Sequence, residues 1–123
     1  MKIIYCEPNK RAVVKEIGSD LKSMQDAVGG HIEAVYPFND AVAVVCNEEG
    51  KLVGMKPSRA IYDAERDLAD VICGPMFVCG LTSDNFTDIP ENLIDKYMEL
   101  FRYPIALFRI NGRLIAFKMT DTE

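Results

Sequence analysis

The 123 residues carry fourteen Lys or Arg against nineteen Asp or Glu, for a net charge of −5, with 49% apolar and 27% charged residues. That length suits one domain with one core, and the composition is that of a folded globular chain rather than a disordered one. An acidic balance with no dense Lys/Arg cluster argues against duplex nucleic acid as a partner, which would need a basic face to release counterions. No apolar run is long enough to span a bilayer, and MKIIYCEPNK lacks a signal-peptide apolar region, so no membrane partner and a cytoplasmic location are expected.

In chain order, Lys2 to Cys6 and Arg11 to Ile17 are β-branched runs around a Glu7-Pro8-Asn9-Lys10 turn, which predicts a hairpin. Ser19 is placed to cap a short helix with the apolar stripe Leu21, Met24 and Val28. Gly29-Gly30 should end that helix, at least one of them with positive φ. His31 to Phe38 then alternates Ile32, Ala34 and Tyr36 against His31, Glu33 and Val35. Ala41 to Cys46, AVAVVC, is apolar throughout and reads as a strand covered on both faces. Asn47-Glu48-Glu49-Gly50 has turn chemistry, with Gly50 supplying a positive φ and Lys51 to Met55 as the partner strand.

Further along, Pro57 to Asp67 reads as irregular, with one helical turn over Ser58 to Tyr62. Asp70 to Cys73 and Met76 to Leu81 are strand-like runs hinged at Gly74-Pro75. Asp88 and Glu91 resemble a capping box for a second helix whose buried face is Leu93, Ile94, Tyr97, Met98, Leu100 and Phe101, stopped by Pro104. Ile105 to Ile110 and Arg113 to Met119 flank Asn111-Gly112, the hairpin signal of a type I′ turn. It should pair Ile110 with Arg113 and Phe108 with Ile115, burying Phe108, Ile115 and Phe117 together. The expected fold is α+β: a mostly antiparallel, strongly bent sheet or half-open barrel with two short helices, as a single domain over 1–123, with an ordered core over 1–119 and a frayed tail over 120–123.

Cys6, Cys46, Cys73 and Cys79 show no C-x-x-C spacing, and His31 is the only histidine, so no metal or cofactor is implied. No nucleophile elbow and no phosphate-binding glycine loop occurs, and no catalytic residue is assigned.

Three segments carry a resemblance: MQDAVGGHIEAVYPF, VCNEEGKLVGMKPSRAI and VICGPMFVCGL. Gln25, Val28, Gly29, Gly30, Ile32 and Glu33 match a Q-x-x-V-G-G-x-I-E signature, and Asn47 to Leu52 match N-E-E-G-K-L. With Arg59 and Ala60 preceded by Ser58 where Asn is usual, and His31 where Tyr is common, the chain resembles domain-of-unknown-function family 3846. The resemblance implies a setting of Gram-positive gut bacteria, their plasmids and phages, and no particular chemistry.

The candidate ligand-binding residues are Gln25, His31, Glu33, Tyr36, Asn47, Glu49, Lys51 and Arg59. Glu33 is a carboxylate on an otherwise apolar strand. Glu48 and Glu49 are poor turn formers beside an Asn and a Gly that turn chemistry explains fully. Arg59 can hold a phosphate or carboxylate bidentately, and His31, Tyr36 and Phe38 can offer a flat surface to a base. Arg59 is expected to pair with Glu33 or Glu49 in the free protein, ready to exchange that partner for a small anionic or nucleotide-like ligand. The leading expectation is therefore a non-catalytic binding protein that sequesters a nucleotide-like signal or blunts a host defence. The alternatives are a homo-oligomeric interaction module, using the second helix and terminal hairpin, and an enzyme with Glu33, Glu48 or Glu49 as general base.

Overall fold

The computed structural model describes residues 1–120; part of the predicted tail, residues 121–123, lies outside the described residues. Its centre is an antiparallel sheet of β1 (Lys2–Cys6), β2 (Val13–Glu16), β3 (Ile32–Val35), β4 (Val42–Asn47) and β7 (Met76–Leu81), in the order β2-β1-β7-β4-β3. The two-residue strand β8 (Phe86–Thr87) adds to β7. Two further pairs stand outside this sheet: β5 (Pro57–Tyr62) with β6 (Leu68–Cys73), and β9 (Ile105–Ile110) with β10 (Arg113–Lys118). The sheet does not close into a barrel. The architecture is the predicted α+β arrangement of bent antiparallel sheet and two short helices.

Strand alternation sends two sets of side chains to opposite faces. On one face Ile3, Tyr5, Ala43, Val45, Phe77 and Cys79 pack with Met24 and Val28 of α1 (Leu21–Val28). On the other, Ile4, Val42, Val44 and Val78 pack with Ile61 and Ile72 of the β5–β6 pair and with Tyr97 of α2 (Ile94–Leu100). Every residue of β4 is buried, because this strand is covered from both sides as its continuous apolar run predicts. No helix among the described residues is long and apolar enough to cross a membrane.

Several local expectations are corrected. Asp20, not Ser19, caps α1: its carboxylate accepts from the Ser23 backbone N–H at 3.2 Å and the Ser23 hydroxyl at 2.6 Å, which lowers its pKa. Leu21, placed on the apolar stripe by spacing, is exposed. Gly29 ends the helix at φ 79°, as predicted. Asp88 forms no capping box. It accepts from the Lys2 backbone N–H at 2.8 Å, and a 3₁₀ turn over Glu91–Leu93 leads into α2 instead. Lys51 to Met55 is not a strand; it continues a chain of turns in which Val53 N–H donates to Glu49 C=O and Met55 N–H to Gly50 C=O, both at 2.9 Å. Pro57–Tyr62 is a strand with bulges, not a helical turn.

Asn111 (φ 51°) and Gly112 (φ 80°) form the predicted two-residue turn, and Ile110 pairs with Arg113 and Phe108 with Ile115. The predicted burial fails. Phe108 and Phe117 meet edge to face at 5.5 Å, yet stay 52% and 47% exposed, because among the described residues no layer covers that side of the hairpin.

Candidate functional site

The predicted polar patch divides. Glu33, Asn47 and Lys51 line one cleft of about 250 Å³ together with Cys46, Glu48, Asp70 and Cys73. Glu33 reaches this cleft because β3 pairs antiparallel with β4, setting Glu33 opposite Cys46 and Ile32 opposite Asn47. The Cys46 thiol lies 4.0 Å from Glu33 Oε1, and burial, then the Glu33 charge, push its pKa up to about 11. It is therefore a neutral, inert wall at ordinary pH.

Asn47 is a structural residue of this wall. Its side-chain amide donates to Val28 C=O at 3.2 Å, and its carbonyl oxygen accepts from Glu49 N–H at 2.8 Å. It thereby ties the turn after β4 to the end of α1. The same turn lies directly on β6. A Cβ added at Gly50 would stand 2.3 Å from the Cys73 carbonyl oxygen. Close approach, and not the expected positive φ, is what requires glycine there.

Lys51 crosses from the turn to β6, its ammonium 2.5 Å from Asp70 Oδ1, and this hydrogen bond raises the lysine pKa. Asp70 Oδ1 also accepts from Val71 N–H at 2.8 Å, which fixes the carboxylate at the strand. On the other side of this ion pair a second hollow of about 430 Å³ opens, walled by Leu68, Val71, Leu107 and Leu114. The two hollows share Lys51, Asp70, Val71 and Cys73 and so form one groove with a polar end and an apolar end. Glu33, Glu48 and Asp70 set three carboxylates against the single ammonium of Lys51.

The other candidates lie elsewhere. Arg59 is 1% exposed and pairs with no carboxylate among the described residues. Its Nε donates to Phe101 C=O at 2.7 Å, Nη2 to Lys10 C=O at 2.8 Å, and Nη1 to Ser58 C=O at 2.9 Å and Glu7 C=O at 3.2 Å. The expected bridge to Glu33 or Glu49 is not formed. The guanidinium instead clamps the β1–β2 turn and the end of α2 onto β5, with its donors committed to backbone carbonyls. Ser58 adds a hydroxyl bond to Cys6 C=O at 3.2 Å.

Gln25 and His31 line a separate hollow beside Gly29 and Gly30. His31 Nδ1 stands 3.9 Å from Glu48 Oε2 on an exposed surface. Tyr36 belongs to a fourth hollow, with Met24, Ile32 and Phe86 on the α1 side of the sheet. Phe38 turns the other way, its ring 5.0 Å from Tyr97, so the three rings make no common stacking surface. Glu49 is exposed on the turn.

Sequence reasoning missed Asp70, Cys73 and the apolar wall. Asp70 opens the β-branched run VIC, and that was its only signal; Leu107 and Leu114 were marked only by alternation within a hairpin. Among the described residues no group of three or more His, Cys, Asp or Glu side chains is arranged to hold a metal ion.

The profile of DUF3846, a domain of unknown function, matches residues 1–102. The chain belongs to this family. The DUF3846 match covers the whole sheet, both helices and the β5–β6 pair, and stops before the β9–β10 hairpin that supplies Leu107 and Leu114. No curated protein and no solved structure matches the chain.

Proposed function

We propose that this DUF3846 protein is a non-catalytic binding protein whose ligand lies in the groove between the Asn47–Gly54 turn, β6 and the terminal hairpin. The observation that carries this reading is the pair of hollows sharing the Lys51–Asp70 ion pair, one end apolar and the other rich in carboxylates. Such a surface favours an amphipathic ligand with an amine end: the amine beside Glu33, Glu48 and Asp70, the apolar body against Leu68, Val71, Leu107 and Leu114. A nucleotide would bring its phosphates toward three carboxylates, and the arginine that would have met them is committed to four backbone carbonyls. Within the mobile-element setting implied by the sequence resemblance, the same groove would sequester a host-derived amine or the lysine-bearing segment of a host protein.

Calorimetry with hexylamine, spermidine and adenosine monophosphate tests this. Heat from the amines that disappears in Asp70→Asn supports the reading. Heat from the nucleotide alone, or from none of the three, overturns it.

A further inference from the structure

The β9–β10 hairpin carries a second surface, made of its free edge and the face turned away from the groove. Residues 105–118 contain Arg109, Arg113 and Lys118 and no acidic residue, in a chain of net charge −5. The hairpin therefore contributes +3, and the remainder carries −5 − 3 = −8. Among the described residues no carboxylate pairs with any of these three cations.

Its geometry is that of an open template. Among the described residues β10 pairs only with β9. Ile110 and Arg113 close a two-residue turn and so form a hydrogen-bonded pair; because such pairs alternate, Leu114, Ala116 and Lys118 direct their N–H and C=O groups away from β9. On one face of the same hairpin, Phe108, Ile110 and Phe117 are exposed beside Ile115. Edge strands in folded proteins are usually shortened, bulged or covered. This one is six residues long with regular pairing.

We propose that the free edge of β10 receives an extended, acidic and apolar strand of a partner protein, which joins the hairpin as a third strand. Backbone bonds to Leu114, Ala116 and Lys118 hold it, alternate apolar side chains extend the Phe108–Ile115–Phe117 surface, and its carboxylates, on the opposite face, meet Lys118 and lie toward Arg109. Charge complementarity selects this occupant over a second copy, whose β10 would bring the same cations to the seam.

The test is an NMR titration of the full chain with a synthetic peptide alternating valine with glutamate, and with its valine–lysine counterpart. The glutamate peptide is expected to shift the Leu114, Ala116 and Lys118 amides and to bind at least about tenfold more tightly than the lysine peptide. Ala116→Pro removes an outward N–H while leaving the β9 ladder its bonds, and should abolish that binding. If Ala116→Pro loses the Phe108–Ile115 cross-strand contact, Lys118→Glu serves instead and should remove the preference for the glutamate peptide. Equal binding of both peptides, binding of neither, shifts from oligothymidylate in place of the glutamate peptide, or concentration-dependent dimerisation through β10 would each overturn the proposal.

Discussion

β4 and the β9–β10 hairpin are both strongly apolar, and they have opposite fates. Every residue of β4 is buried, with α1 packed on one face of its sheet and α2 and the β5–β6 pair on the other. The hairpin has a comparable apolar content, a well-formed turn and regular register, yet its Phe108, Ile110 and Phe117 stay exposed. The difference does not lie in the strands themselves. It lies in whether the chain supplies a second layer, and the described residues supply two for the sheet and none for the outer face of the hairpin. An apolar face left in water by a small domain marks a place where something else binds.

Paired truncations sharpen that contrast. Phe77→Ala empties the middle of the sheet, where Phe77 is wholly buried among Ile3, Val28 and Val45, and should cost about 4 kcal/mol in urea unfolding. Arg59→Met should cost about 3 kcal/mol, since buried carbonyls of three chain segments lose their donor at once. Arg59→Lys should recover only part of that loss, because an ammonium cannot reproduce the planar fork. Asn47→Ala should cost about 1–2 kcal/mol, leaving Val28 C=O and Glu49 N–H without the side chain that joins them. Phe117→Ala, on the uncovered face, should cost less than about 1 kcal/mol. A cost for Phe117→Ala equal to that of Phe77→Ala would show that the hairpin is covered after all, by the protein's own chain or by a second copy.

The contrast also explains what was legible in the sequence. The β4 strand, the α1 stop at Gly29 and the Asn111-Gly112 turn follow from local chemistry: unbroken apolarity, a left-handed residue and a two-residue hairpin code. Lys51 to Met55 was misread because Asn47–Gly50 has the chemistry of a turn that leads into a partner strand, while the chain uses Gly50 for close approach to Cys73 and goes on turning. Pro57–Tyr62 was hidden by its bulges, which break the alternation that identifies a strand. Arg59 was assigned to binding because a charged residue in an apparently irregular segment reads as exposed. Its burial depends on the carbonyls of Glu7, Lys10 and Phe101, all distant in the chain, and no local pattern announces that. Of the groove, Glu33, Asn47 and Lys51 were visible as polar residues near one strand pair, whereas Asp70, Leu107 and Leu114 join them only through tertiary packing.

The central claim, that the groove across the Lys51–Asp70 pair is the binding site, is tested most directly by mapping amide shifts as hexylamine is added to the labelled protein. The account predicts saturable shifts at Glu33, Asp70 and Val71 at the polar end and at Leu107 and Leu114 along the apolar wall. The hollows beside His31 and Tyr36 should remain unchanged. Saturable shifts confined to either of those hollows, or no saturable shift anywhere, would contradict it.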